Sequence, residues 1–446
     1  MQRARPLLSP CRGALLRQGV QRCSARPLAT KSKPMEGDGL LLRITGEDRP
    51  GVTAEFAGML QGRGVDLLDI DQALVHENLA LYVILRLPEA SGSGVGLLRE
   101  VLRSARDMGV SVDFDLVDMD HLIEQRNVSG KTALAVTVMH QELDFGMLAE
   151  AARAASANHY NIIKIERLSP LASMMNPGEV SAVELVLEAR EGAREALLRK
   201  AMYTIQKRLG CDMAVMREGL ARRSKRLIVM DMDSTLIQEE VIDEIARSHG
   251  VYKAVAAVTQ SAMNGEMDFD DALRERCRQL KGCPVSVMDE VYTRINLTPG
   301  ATEFIAAVKS VGCRTAVVSG GFTVLTDRIQ KDLGLDYAFA NQLEVVDGLL
   351  TGEVVGPIVN RQRKADLLES LAKTERIGVG QVIAVGDGAN DLDMIGRAGL
   401  GIAFNAKPAV QLQAEYKINH RRLDSILYLI GVRPKDLPSW SIDTFT

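Results

Sequence analysis

Two carboxylates stand one residue apart at the end of a short apolar run: Leu227-Ile228-Val229-Met230 leads into Asp231-Met232-Asp233-Ser234-Thr235. Such a run reads as a buried strand, and open parallel sheets place their chemistry just past the strand ends. Acids at that spacing can face one crevice, where one attacks a phosphorus atom and the other handles a proton. The competing reading is a turn in which Asp or Ser caps the next helix. Three further segments add polar groups to apolar runs. Val317-Val318 leads into Ser319-Gly320-Gly321-Phe322, Lys364 precedes the periodic run from Ala365 to Leu371, and Val382 to Val385 leads into Gly386-Asp387-Gly388-Ala389-Asn390-Asp391. Taken alone, Ser319 also reads as a helix N-cap and Lys364 as a solvated helix lysine.

The order of these signals (carboxylate pair, hydroxyl, lysine, carboxylate pair) resembles the four motifs of the haloacid dehalogenase superfamily of aspartate-nucleophile phosphotransferases. Other strings narrow the resemblance. They are Glu240, the run Asp268-Phe269-Asp270-Asp271-Ala272-Leu273-Arg274-Glu275-Arg276, the run from Gly334 to Asn341, and Val346-Asp347-Gly348-Leu349-Leu350-Thr351-Gly352. Together they resemble the phosphoserine phosphatase family, from about residue 225 to 432. One departure is Cys277, where the family usually has Val.

The resemblance implies a phosphoric monoester hydrolase that converts O-phospho-L-serine to L-serine and phosphate, the last step of serine biosynthesis. By the same resemblance Asp231 is the nucleophile and forms an aspartyl-phosphate, and Asp233 protonates the leaving oxygen and then activates water. Mg2+ is held by the Asp231 carboxylate, the backbone carbonyl of Asp233 and Asp387, with Asp391 and Asn390 orienting that shell. Ser319, the Gly320 N–H and Lys364 hold the phosphoryl oxygens. Glu240 pairs with the substrate ammonium and Arg276 grips its carboxylate. Phe269 lies seven residues before Arg276, two helical turns, so both can share one face of a helix. Glu240 and Arg276 also read as ordinary solvated helix charges. The alternatives are another small-molecule phosphatase or phosphotransferase of the superfamily, for example one acting on phosphohomoserine, or an amino-acid sensor without catalysis.

Before the carboxylate pair the chain repeats itself. Residues 39–119 alternate strand, helix, strand, strand, helix, strand, and residues 131–217 repeat that order. A βαββαβ unit gives a four-stranded antiparallel sheet with two helices on one face, leaving edges that favour pairing between copies or subunits. In the first copy Gly46-Glu47-Asp48-Arg49-Pro50-Gly51 joins strand to helix and resembles the ligand loop of ACT domains. The resemblance implies that Asp48, Arg49, Pro50 and Gly51 bind an amino-acid effector, most plausibly serine, in a homodimer. A glycine there lets N–H groups at a helix start approach a carboxylate. An ordinary Pro-Gly turn is the alternative. The second copy has His140-Gln141-Glu142-Leu143-Asp144-Phe145-Gly146 instead.

After the pair, strand and helix alternate, so the expected fold is α/β: a Rossmann-like parallel sheet over residues 225–432 with a helical cap at about 238–296, preceded by the two ferredoxin-like modules. Asp347-Gly348 reads as a hairpin turn and hence a second small flap. A tail follows at 433–446.

Composition excludes several classes. The net charge of −4 leaves no basic footprint for nucleic acid. No apolar run approaches the ~18 residues of a membrane span. The six cysteines include no Cys-x-x-Cys, so neither a disulfide framework nor a zinc site is indicated. Residues 1–35 carry Arg3, Arg5, Arg12, Arg17, Arg22 and Arg26 with no acid before Glu36. That is the composition of a transit peptide, mitochondrial or plastid, the alternative being an extension on a cytoplasmic protein.

Overall fold

The structure, a computed structural model, describes residues 38–86, 93–118, 133–170, 178–433 and 436. The transit segment expected at 1–35 lies outside them, as does almost all of the expected tail. The chain divides into two units, residues 1–129 and 130–446.

In the first unit, strands β1 (Asp38–Glu47), β2 (Asp66–Val75), β3 (Asn78–Arg86) and β4 (Ser111–Asp118) form an antiparallel sheet in the order β2-β3-β1-β4. Alternation builds its core. Leu79, Leu81, Val83 and Leu85 of β3 and Leu40, Leu42 and Ile44 of β1 are buried. They pack with Val52 and Phe56 of the helix Val52–Leu60 and with Leu97, Val101 and Ala105 of the helix Ser93–Met108. The His76-Glu77 turn between β2 and β3 puts His76 at φ 54°.

The second unit opens with the same pattern. Strands β5 (Ala133–His140), β6 (Tyr160–Arg167), β7 (Ser181–Ala189) and β8 (Asp212–Arg217) take the order β6-β7-β5-β8, with helices Phe145–Ala157 and Glu195–Leu209. The seven-stranded sheet that follows has the order β12-β11-β10-β9-β13-β14-β15. Its strands are β9 (Leu227–Met230), β10 (Arg314–Phe322), β11 (Tyr337–Val346), β12 (Leu349–Val355), β13 (Val382–Gly386), β14 (Leu400–Phe404) and β15 (Tyr416–Ile418). Every residue of β9, β13 and β14 is buried, as expected of central parallel strands covered on both faces. Gly401 of β14 has no room for a side chain, since a Cβ there would stand 2.0 Å from the Ile395 carbonyl oxygen.

Register positions the chemistry. Met230 aligns with Val317 on one side and Val385 on the other, so the chain beyond β9, β10 and β13 emerges at one edge. The chain leaves β9 toward β10 and later returns to β13 on the opposite side. The crevice therefore lies where the strand order reverses.

Four helices between β9 and β10 form the cap: Val241–His249, Tyr252–Met263, Phe269–Gln279 and Val287–Arg294. The cap was expected from about residue 238, and its first helix begins three residues later. Ile237 is bridged to Leu297, and the Gln238 N–H donates to the Asn296 carbonyl at 2.9 Å, so the two chains entering and leaving the cap pair as a neck. The β11–β12 hairpin turns at Asp347 (φ 50°) and Gly348 (φ 77°), as the Asp-Gly pair implied. It docks on the cap through Gly282 N–H to Leu350 O at 2.8 Å, Leu350 N–H to Cys283 O and Val285 N–H to Gly348 O, both at 2.9 Å.

The second sheet module is fixed to the catalytic sheet. Buried Asp212 of β8 accepts from the Asn419 N–H at 2.7 Å, the Asn419 side chain at 2.8 Å and the His420 N–H at 3.2 Å. Arg222, fully buried, donates to Glu184 of β7, to Glu218 at 2.6 Å and to the Leu429 carbonyl at 2.7 Å. Removing one member of a buried ion pair strands the other charge in a poor solvent. Arg222→Met is therefore expected to cost about 3–5 kcal/mol of unfolding free energy, measured by urea denaturation. A loss under about 1 kcal/mol would show that Glu184 finds water or another donor.

Candidate active site

The loops after β9, β10 and β13 bring the expected acids together. Asp231, in extended conformation at the end of β9, is almost wholly buried. Its N–H donates to the Val385 carbonyl at 2.9 Å, and its Oδ1 accepts from the Met232 N–H at 2.7 Å. Residues Met232–Leu236 form one wide turn, in which Ser234 takes φ 57°. This turn keeps Asp233 near Asp231, whose pKa its charge helps to raise. The helix-capping alternative holds only in part. The N–H of Val241, the first residue of the next helix, favours the charged form of Asp233, whereas its Oδ1 is shielded and has no protein partner.

Lys364 is the counter-charge. It is fully buried, with Nζ 2.8 Å from Asp231 Oδ1 and 2.8 Å from Asp391 Oδ1. A solvated helix lysine is excluded. Its helix, Arg361–Thr374, starts at Asn360, whose side chain caps it by accepting from the Arg363 N–H at 3.0 Å. The glycines after β13 make room for Asp391. A Cβ on Gly386 would lie 2.4 Å from Asp391 Cγ, and one on Gly388 would lie 2.1 Å from Asn390 Oδ1. Asp391 Oδ2 accepts from the Gly388 N–H at 2.9 Å, and Asp387 Oδ1 accepts from the Thr235 hydroxyl at 3.1 Å.

Asp231, Asp387 and Asp391 offer carboxylate oxygens within 4.8 Å of one another, a hard oxygen set that suits a divalent cation. The Asp233 carboxylate is not in that group, so its expected part as a ligand rests on its backbone carbonyl alone. Both oxygens of Asp391 already accept hydrogen bonds, which suits it to support rather than direct ligation.

Ser319 is fully buried, and its Oγ accepts from the Gly321 N–H at 2.8 Å. It is not a helix N-cap, since the helix Thr323–Leu333 begins after Phe322. A Cβ on Gly321 would stand 3.0 Å from Ser319 Oγ and 3.1 Å from Asp233 Oδ2, so hydroxyl and acid flank this glycine. One on Gly320 would lie 3.4 Å from Phe269 Cζ and 3.9 Å from Asn390 Nδ2. Phe269 of the cap thus closes over the β10 loop beside the β13 loop.

Two expected substrate residues sit further out. Glu240, exposed, accepts from the Ser234 hydroxyl at 2.9 Å, and its charge reaches Asp233 and Asp387. Arg276 is half-buried and donates only to its own helix, at the Ala272 carbonyl (3.3 Å), among the described residues. No bond carries it to the strand-end loops. Sequence reasoning gave no role to Thr235, Gly321 or Asn341. Asn341 donates to the Gly320 carbonyl at 2.8 Å and accepts from the Val359 N–H at 2.8 Å, fixing the β10 loop. The signal was available, because Asn341 ends a quoted string and Thr235 follows the carboxylate pair.

In the first unit Asp48-Arg49-Pro50-Gly51 forms the expected loop. Arg49 pairs with Glu55 at 3.0 and 2.9 Å, and Gly51 begins the helix at φ 103° with no side-chain cap. Gly51 is required by this left-handed backbone and not by crowding, since the nearest atom to an added Cβ is Glu55 Oε1 at 3.8 Å. In the second module Asp144 takes over the start of the helix, accepting from the Met147 N–H at 2.8 Å.

Comparison with known proteins agrees with this geometry. Residues 228–395 match the haloacid dehalogenase-like hydrolase family and residues 38–115 match the ACT domain family. A phosphoserine phosphatase of Streptomyces coelicolor is 40% identical over 398 residues, covering 89% of this chain and 93% of that protein. One of Mycobacterium tuberculosis is 38% identical over 393 residues, covering 88% and 93%. Among solved structures, a haloacid dehalogenase family hydrolase of Salmonella enterica serovar Typhi has a TM-score of 0.59 at 30% identity, over 67% of this chain and 99% of that one. A structure titled probable phosphoserine phosphatase from Vibrio cholerae has a TM-score of 0.53 at 34% identity, over 68% and 88%. The fold and site define a haloacid dehalogenase-type phosphoric monoester hydrolase with an ACT domain. Within that class the chain belongs to the phosphoserine phosphatase family.

The clustered acids set a pH dependence. Burial, then Asp391 and Glu240, push Asp387 up to about 7, and burial raises Asp231 and Asp233 well above the usual carboxylate range. Burial opposes the charge on Lys364, but Asp231 and Asp391 outweigh it and raise its pKa. An acid with a raised folded pKa binds more protons folded than unfolded between its two values, so stability falls as pH rises through that window. Without divalent metal, Asp387 should make the protein lose stability from about pH 4 to about pH 7, and Asp231 and Asp233 act in the same direction. A thermal shift produced by a divalent cation on this set of acids should be larger at pH 8 than at pH 5, as calorimetry would record. Equal shifts at both values would mean that the cation does not bind these acids.

Proposed function

We propose that the protein is a Mg2+-dependent phosphoserine phosphatase that hydrolyses O-phospho-L-serine through an aspartyl-phosphate on Asp231 and so completes serine biosynthesis. The observation that carries this reading is Lys364 held between Asp231 and Asp391 at the strand-order reversal, under a cap whose Phe269 lies on Gly320. Asp231 Oδ1 is engaged by Lys364 and the Met232 N–H, which leaves Oδ2 for in-line attack. Asp233, with one oxygen unpartnered and its pKa raised by burial and Glu240, is suited to give a proton to the leaving serine oxygen and then take one from water. Ser319, the Gly320 N–H and Lys364 would hold the non-bridging oxygens, and Asn341 keeps the Gly320 peptide in place. Mg2+ held by Asp231, Asp387 and the Asp233 carbonyl would offset the repulsion between carboxylate and phosphate. Glu240 and Arg276 would receive the substrate ammonium and carboxylate, each being free of an opposite-charge partner within ion-pair distance among the described residues.

Phosphate release from phosphoserine and phosphoethanolamine, with and without Mg2+, tests this. Phosphoserine should be preferred, and Arg276→Ala should erase the preference at a cost of about 1.5–3 kcal/mol in kcat/KM. Equal use of both substrates by the unmodified protein would remove Arg276 from the site. Asp231→Asn should abolish turnover without lowering the melting temperature, whereas Asp233→Asn should still form phosphoenzyme and break it down slowly. Residual turnover by Asp231→Asn above a trace would rule out the covalent route.

The ACT-like modules are read as a serine-responsive pair in a homodimer, and the arginine-rich start of the chain as an organellar address. Calorimetry with serine and sedimentation of the full chain test the first two, and a fluorescent fusion of residues 1–35 tests the third. Coupling of about 1–3 kcal/mol between serine and substrate binding is the expected scale.

A further inference from the structure

We infer that Asp270 and Asn360 form a latch that holds the cap helix in register with the phosphate clamp, making both of them positioning residues for the hydrolysis. This inference rests on the phosphatase reading above.

Asp270 occupies the first turn of the cap helix Phe269–Gln279, one residue after Phe269 and six before Arg276. Both of its carboxylate oxygens receive Asn360 Nδ2, at 3.0 and 3.2 Å. Asn360 is committed on its other side as well. Its Oδ1 caps the helix Arg361–Thr374, and its carbonyl accepts from the Lys364 N–H at 2.9 Å. One side chain therefore joins the turn that carries Lys364 to the turn that carries Phe269.

The residue just before Asn360 belongs to the same belt. Val359 donates to Asn341, which donates in turn to the Gly320 carbonyl. Hydrogen bonds through Asn341 and Val359, then the peptide link to Asn360 and its bonds to Asp270, thus lead from the β10 phosphate loop to the cap. The neck at Ile237 and Leu297, the docked hairpin at Leu349 and the side-chain pairs Asp289–Arg328 and Tyr292–Asp332 hold the cap elsewhere, through bonds that do not involve the phosphate loops. Asp270 and Asn360 are the side-chain pair that ties the cap to the helix carrying Lys364. Their spacing fixes how far a phosphoryl group on Lys364 lies from the cap groups that would hold the rest of the substrate. The bond is charge-assisted, from a neutral amide to a carboxylate, so replacing the amide by a second carboxylate turns attraction into repulsion.

Asn360→Asp tests this without losing the helix cap, because Asp caps as well as Asn. It should raise KM for phosphoserine about 10-fold and lower kcat by less than 3-fold. Hydrolysis of p-nitrophenyl phosphate, which lacks the amino-acid end, should change by less than 3-fold. Hydrogen exchange at residues 268–273 should accelerate about 10-fold with no substrate present. The exchanged pair Asp270→Asn with Asn360→Asp restores an amide facing a carboxylate at the same net charge, and should bring KM and exchange back to within about 2-fold of the unmodified protein. Unchanged exchange and KM in Asn360→Asp would overturn the latch, and so would failure of the exchanged pair to restore them at an unchanged melting temperature. Exchange is read without turnover. If the unmodified protein does not hydrolyse phosphoserine, the phosphatase reading fails while the latch is still decided.

Discussion

Three carboxylates converge at the end of β9, and a single buried ammonium makes this arrangement tolerable. Asp231 and Asp391 each reach Lys364 at 2.8 Å, with Asp387 beside them. Isolated charges in such surroundings would be severely penalised, so every element nearby serves to complete their partners. The helix Arg361–Thr374 delivers Lys364 from its first turn. Gly386 and Gly388 clear the space into which Asp391 and Asn390 fold. Burial, with the negative charge left over after one lysine, raises the acids and leaves the cluster receptive to a cation.

That constraint explains the division of labour around the sheet. The all-apolar strands β9, β13 and β14 give a rigid base whose register leaves little freedom to the loops they carry. The cap is built from local helices and held by a backbone neck, a docked hairpin and the side-chain pairs Asp289–Arg328 and Tyr292–Asp332, apart from the acids beneath. Phe269 is where the two layers meet, against Gly320. Glu240 acts across the same boundary, since it lies on the cap side and its charge raises both Asp233 and Asp387.

The two ACT-like modules share a fold and differ in how they begin their first helix. The first uses a left-handed Gly51 and leaves the helix start without a side-chain cap, and the second fills that place with Asp144. A helix start already occupied by its own carboxylate is poorly suited to receive another. The second module instead joins the catalytic sheet, through Asp212 on the β15 end and through buried Arg222. Sheet edges that would otherwise stand open are thereby covered: β8 and β15 approach one another, and Lys417 of β15 lies 3.8 Å over the Tyr203 ring.

The sequence alone determined that Leu227 to Met230 and Val382 to Val385 are buried strands, because such unbroken apolar runs fit a sheet covered on both faces. It also determined that the polar residues following those runs share one end, and that Asp347-Gly348 turns a hairpin, since few other residues adopt that backbone. The repeat of βαββαβ was equally legible from local periodicity. Local pattern could not reveal contacts between residues far apart in the chain. That Lys364 is buried and not solvated is decided by Asp231 and Asp391, which lie 133 and 27 positions away in opposite directions along the chain. The Val241 N–H of the next helix acts on Asp233 across a reversal at Ser234, whose φ of 57° no propensity scale assigns to a serine. Asn341, Asn360 and Asp270 look like ordinary polar residues at element ends. Their roles exist only because the fold brings the β10 loop, the lysine helix and the cap within hydrogen-bond distance, where an amide can satisfy two elements at once.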